Sequence, residues 1–105
     1  MKPIKGRRTR SAPTYKFRLY IAGDAQNSAQ AVTNLTAICR AYLKERHAIE
    51  VVNVFNDPKR ALADRIFMTP TLLKLAPRPA PTRIVGTLSH KETVLQALGL
   101  DIDAV

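Results

Sequence analysis

Apolar and polar positions alternate near the start of this chain, then fall into a helical stripe, then give way to a run of branched residues. From Tyr15 to Ile21, Tyr15, Phe17, Leu19 and Ile21 share one face, and Lys16, Arg18 and Tyr20 share the other. A period of two, with aromatic and branched residues, predicts a half-buried strand. Gly23-Asp24 punctuates it, and Asn27-Ser28 offers an N-cap for a helix predicted to reach about Arg46. Ala31, Leu35, Ile38 and Tyr42, flanked by Val32, Cys39 and Leu43, form its apolar stripe. Ile49 to Phe55 predicts a second strand, covered on both faces. Strand, long helix and strand make a βαβ unit with parallel strands.

Asp57-Pro58 reads as a helix opening, with Asp as cap and Pro at the first helical position, so a short helix should run from Lys59 to about Ile66. Thr69-Pro70 breaks it. Thr71 to Leu75 predicts a third strand, and Pro77-Arg78-Pro79-Ala80-Pro81 a stiff connector. Arg83 to Thr87 predicts a fourth strand. Ser89-His90-Lys91-Glu92 reads as a capping box for a last helix, in which Val94, Leu95 and Leu98 face inward and which Gly99 closes. The order is β-α-β, short α, β-β-α. It resembles the connectivity of a thioredoxin-like α/β domain, where a proline opens the third strand as Pro70 does here. One domain over residues 15–100 is expected, behind a basic leader (1–14) and before a short tail (101–105).

Composition changes this picture in two respects. A single cysteine, Cys39, excludes an intramolecular disulfide and agrees with a reducing compartment. With no long apolar run and no apolar stretch behind the basic leader, a membrane partner is not expected and a cytoplasmic location is. The net charge of +9 is unevenly placed: residues 1–18 hold seven bases and no acid, and the rest hold ten bases and eight acids. The leader reads as a solvated, disordered arm. It lacks the interleaved aromatics on which single-strand binders stack bases, so nucleic acid is not the expected partner.

Catalytic constellations do not assemble. A thioredoxin-like redox centre needs Cys-x-x-Cys where the first strand meets the first helix, and that site reads Asp24-Ala25-Gln26-Asn27-Ser28. Cys39 falls on the helical stripe, as a small buried hydrophobe would. His47 and His90 share no metal-ligand spacing with it. The four glycines form no phosphate loop, and Asp24, Asp57 and Asp64 read as turn, cap and helix surface. No enzymatic activity, metal or cofactor is expected.

Three stretches carry a more specific resemblance. LYIAGDAQNS (Leu19 to Ser28), NDPKRALADRIFMTPTLLKLAP (Asn56 to Pro77) and RIVGTLSHKETVLQALGL (Arg83 to Leu100) are similar, in order, to segments of the KaiB family of bacterial clock proteins. The resemblance implies a non-catalytic regulator that binds the ATPase ring of a KaiC-like hexamer, opposes the state promoted by KaiA, and so modulates phosphorylation in a clock or timer. It also implies a resting homotetramer or dimer whose second half is packed differently, with Pro70, Pro77, Pro79 and Pro81 in the rearranging segment. Carried over by position, Asn27, Ser28, Arg65 and Lys74 would face the partner. Gln30 and Thr87 depart from the family pattern, which leaves a second reading open: a thioredoxin-like sensor or interaction domain in stress signalling, without a circadian role.

Overall fold

In the computed structural model, which describes residues 13–78 and 81–100, the elements are β1 (Tyr15–Ile21), α1 (Gln26–Ile38), β2 (His47–Asn53), α2 (Pro58–Ala63), β3 (Thr71–Ala76), β4 (Thr82–Val85) and α3 (Lys91–Ala97). Their order is the one the sequence predicts. Most of the leader, Pro79 and the tail lie outside the described residues.

The strands form one sheet in the order β2-β1-β3-β4, with β1 parallel to β2 and the other pairs antiparallel. β1 is therefore central, and its alternation divides the core in two. On one face Tyr15, Phe17 and Leu19 pack with Ala31, Leu35, Ile38, Cys39 and Leu43 from α1 and the turn after it, and with Leu72, Leu88, Val94, Leu95 and Leu98. On the other face Tyr20, Val52, Ala61 and Leu73 form a smaller cluster under α2. Two helices cover one face; six residues of helix cover the other.

Several boundaries differ from expectation, each for a local reason. The first helix becomes a single wide turn over Cys39–Leu43, where the Lys44 N–H reaches back five residues to the Cys39 carbonyl at 2.8 Å. That extra residue brings Leu43 fully into the core and leaves Tyr42 half-buried. β2 starts at His47, not Ile49, because the register begins with Tyr15 opposite His47. It is an edge strand, and of its residues only Val52 is buried, so the expected cover on both faces is not found.

Side-chain capping also departs from the pattern. α1 starts after Ala25, and α2 and α3 start after Asp57 and His90, with no side-chain cap bond at any of the three. Ser28 instead sits inside the first turn of α1, where its Oγ accepts the Ala22 N–H at 3.0 Å and ties β1 to the helix. Ser89 Oγ lies 2.6 Å from Thr87 Oγ1 in place of the capping bond. The closing glycine behaves as expected: Gly99 takes φ +79, and Leu100 N–H donates to Leu95 O at 2.8 Å and Gly99 N–H to Gln96 O at 3.1 Å.

α2 has too little apolar surface to hold itself down, and a polar network does the rest. The buried Tyr20 hydroxyl donates to Asp64 Oδ2 and lies 3.2 Å from the Arg60 carbonyl. Arg18 donates through Nη1 to Asp64 Oδ2 at 3.0 Å and through Nε to Glu50 Oε1 at 2.9 Å, and Arg60 pairs with Glu50 Oε2 at 2.7 Å. The Tyr20 hydrogen bond, followed by the Arg18 guanidinium, holds the Asp64 carboxyl below the usual carboxylate range despite its partial burial.

Two outcomes follow. Tyr20→Phe removes the hydroxyl and should cost about 1–2 kcal/mol, read as a lower urea midpoint at unchanged slope. Asp64 has a depressed folded pKa, so its contribution is complete above an unfolded value of about 4 and is lost as pH falls through the folded value. Urea midpoints should therefore drop on acidification below pH ~4, and Asp64→Asn should flatten that drop.

Candidate functional site

The junction where a redox domain would carry its thiols, Ala22 to Asn27, holds a left-handed Gly23 at φ +58 and a turn tied to Asn53, whose Oδ1 accepts the Gly23 N–H at 3.1 Å. Cys39 is elsewhere, fully buried in the wide turn, and burial pushes its thiol up to about 11. A thiol with that pKa is almost wholly protonated at neutral pH and is a poor nucleophile. Among the described residues no group of His, Cys, Asp and Glu could hold a metal ion.

The four residues that the resemblance would turn toward a partner do not converge. Asn27 is exposed on the first turn of α1, and Ser28 beneath it is buried. Lys74 lies on β3, facing the α1 side. It is 3% exposed, with Nζ 5.8 Å from the centre of the Tyr15 ring, so cation–π attraction and the β-sheet hold it inside. Arg65 is exposed directly after α2. Of the prolines, Pro70 is buried and enters β3 through a cis bond, and Pro77 leaves β3 through another. Pro81 is exposed before β4.

What does converge is the segment from α2 to β3. Leu62, Phe67 and Met68 are exposed at 70, 82 and 63%, unusual for side chains this large. Hydrogen bonds and strand pairing set Met68 beside the β3–β4 edge: Thr71 Oγ1 donates to the Met68 carbonyl at 2.6 Å, Thr71 pairs with the half-exposed Val85, and the Gly86 N–H donates to the Pro70 carbonyl at 2.9 Å. A clustered set of exposed apolar side chains on a monomer marks an interaction surface.

Within that cluster stands a strained arginine. Arg65 takes φ +57 as the residue that ends α2, where Ile66 N–H donates to Ala61 O at 2.8 Å and Arg65 N–H to Leu62 O at 3.0 Å. This position favours glycine, because a Cβ in the left-handed region crowds the following carbonyl. The turn is clamped from β4: Arg83 donates through Nη2 to the Asp64 carbonyl at 2.8 Å and through Nη1 to the Arg65 carbonyl at 3.2 Å. The arrangement offers apolar anchors in the same segment as an exposed arginine whose backbone is held in place, which suits docking rather than bond chemistry.

The sequence reading singles out Arg65 but not Phe67, Met68 or Arg83. A signal was present: Phe67 and Met68 follow the end of a short helix and precede a Pro-opened strand, where no core position was available to absorb them.

Known proteins match the chain in sequence and in fold. The KaiB domain family model matches residues 18–100. The chain is 44% identical to the circadian clock protein KaiB3 of Synechocystis over 82% of this chain and 81% of that one. It is 43% identical to the circadian clock oscillator protein KaiB of Prochlorococcus marinus, over 85% of this chain and 74% of that one. Among solved structures it is similar to the N-terminal domain of Synechococcus elongatus SasA, with a TM-score of 0.68 at 21% identity, covering 87% of this chain and 89% of that one. It is also similar to the thioredoxin Deadhead of Drosophila melanogaster, with a TM-score of 0.65 at 14% identity over 90% of both chains. The fold is thioredoxin-like, as its connectivity implied.

Relief of the left-handed arginine is measurable. Arg65→Gly should raise stability by roughly 0.5–1 kcal/mol in urea unfolding, whereas Arg65→Ala, which keeps the Cβ, should leave it nearly unchanged.

Proposed function

The chain belongs to the KaiB family, and on that premise we propose that it is a non-catalytic regulator that docks on a KaiC-like ATPase hexamer and modulates its phosphorylation state in a clock or timer. The observation that supports this most directly is the exposure of Leu62, Phe67 and Met68 in the segment that carries Arg65, with exposed Val85 on the adjoining β3–β4 edge. Apolar anchors around a guanidinium have the composition of an interface hot spot. Asn27 and Arg65 are the two carried-over residues that stand at the surface, and Arg65 is the one joined to the cluster. Ser28 and Lys74 act in this reading through the fold, by fixing the start of α1 and the β1–β3 pairing.

α2 is also where such a regulator could be adjusted. It is held mainly by ion pairs and hydrogen bonds rather than by buried apolar area, and such contacts weaken with salt and acid. Homo-oligomerisation at rest, with the second half repacked, belongs to the same proposal.

Native mass spectrometry of this protein with a KaiC-like hexamer, in ATP and in ADP, tests the reading. A nucleotide-dependent complex is expected, and Phe67→Ser with Met68→Ser should weaken it about 30-fold, as loss of a hot spot does, without changing the thermal midpoint of the free protein. Absence of a complex in either nucleotide, or a double variant that binds like the parent, would overturn it.

A further inference from the structure

Folding gathers the unbalanced charge at one end of the molecule, away from the α2 cluster. Here β1 and β2 begin and β3 ends. The Tyr15 N–H donates to the Arg46 carbonyl at 2.8 Å, Arg46 Nη1 donates to the Pro13 carbonyl at 3.3 Å, and Lys16 pairs with Ala48 on one side and Ala76 on the other. Arg40 and Lys44 belong to the wide turn that leads into β2, and Arg78 follows β3 by two residues. Lys16, Arg40, Lys44 and Arg78 are exposed, Arg46 is half-buried, and Glu45 is the one acid among them.

None of these cations is paired with an acid among the described residues; the ion pairs there join Arg18 and Arg60 to Glu50 and Asp64 on the α2 face. In sequence, five further bases (Lys2, Lys5, Arg7, Arg8 and Arg10), with no acid, precede the Pro13 that Arg46 contacts. The remainder of the chain balances, with seven bases and seven acids. The whole excess of +9 therefore belongs to this end and to the leader attached to it.

The chemistry of the surface narrows its partner. A folded protein partner would be met by apolar anchors, and Lys is depleted from such interfaces. Among the described residues, the exposed large apolar ones, Val51, Phe55, Leu62, Phe67, Met68 and Val85, all lie on other parts of the chain. No exposed aromatic stands among these cations to stack an unpaired base. The cations sit on strand ends and turns rather than along one helix face, so they can neutralise phosphates but have no element to place in a groove. We propose that this end docks on the phosphate backbone of duplex DNA without reading its sequence. The leader alone gave no reason to expect nucleic acid; the folded patch does, because duplex backbone requires charge and not stacking.

The test is fluorescence anisotropy of the full chain with a labelled 30-base-pair duplex of mixed sequence, between 50 and 200 mM salt. If the four exposed cations each neutralise about one phosphate, they contribute about −3.6 to the slope of log affinity against log salt. Lys16→Glu, Arg40→Glu, Lys44→Glu and Arg78→Glu combined should lower affinity at least ~100-fold at 50 mM salt. The milder pair Lys44→Gln and Arg78→Gln, whose side chains make no hydrogen bond or ion pair among the described residues, should reduce the slope by about 1.8. Association with the KaiC-like hexamer should be unaffected in both variants, which separates this proposal from the preceding one. Wild-type slope in the Gln pair, no binding by the parent at 50 mM salt, or equal binding to polyglutamate or phosphatidylserine vesicles would overturn the assignment to duplex DNA.

Discussion

A phenol buried in the central strand has to find a partner, and Tyr20 imposes that requirement on everything packed against the thinner face of the sheet. Its hydroxyl cannot reach water, and Asp64 meets it from the end of α2. Asp64 then needs a cation, which Arg18 supplies from the neighbouring position on β1, and Arg18 in turn draws in Glu50 across the parallel pairing. The location of α2 is thus dictated by polar satisfaction more than by apolar area. Because α2 is placed this way, residues 64–70 are obliged to leave it at the β3–β4 edge, and Phe67 and Met68 are carried outward with no core to enter. The exposure of these apolar side chains is a consequence of how the tyrosine is satisfied.

The same dependence explains why a strained arginine persists. Asp64 must sit at the C-cap of α2 to receive the Tyr20 hydroxyl, so the next residue, Arg65, must adopt the left-handed turn. Arg83 grips both carbonyls of that turn and keeps it from relaxing. Strain maintained by surrounding contacts at an exposed position points to a use for the side chain. The opposite end of the domain has a different character: among the described residues its cations have no acidic partner and no exposed large apolar side chain stands beside them, and its entry at Pro13 is hydrogen-bonded. One small domain thereby presents two chemically distinct faces, the first suited to an apolar groove and the second to a polyanion.

Much of this could be read from residue order. The alternation in β1, the run of branched residues in β2 and the prolines around β3 fix the connectivity, because each reports a local backbone preference. Edges and caps were harder. Ile49 to Phe55 reads as a covered strand, yet β2 lies at the sheet margin, a fact of strand order that no local pattern encodes. Asn27-Ser28 and Ser89 look like caps, but both hydroxyls bond elsewhere because tertiary partners were nearer. Lys74, which the resemblance implies would face a partner, lies over the Tyr15 ring, a placement only the register of β3 reveals. Arg65 was visible as a charge; its neighbours Phe67 and Met68 became meaningful only once α2 was placed.

The wide turn at Cys39–Leu43 has a consequence for how this chain tolerates change in length. A turn closed by a bond spanning five residues stores one residue more than a regular helix would need over the same path. Leu43 is buried on one side of it, and Arg40 and Lys44 project on the other. Between α1 and the sheet, a homologue could therefore gain or lose a single amino acid at this point and absorb it by tightening or widening the turn, leaving the register of β1 with β2 undisturbed. The loop of a helix that looks irregular is, in this sense, the seam at which insertions and deletions can be accommodated without refitting the core.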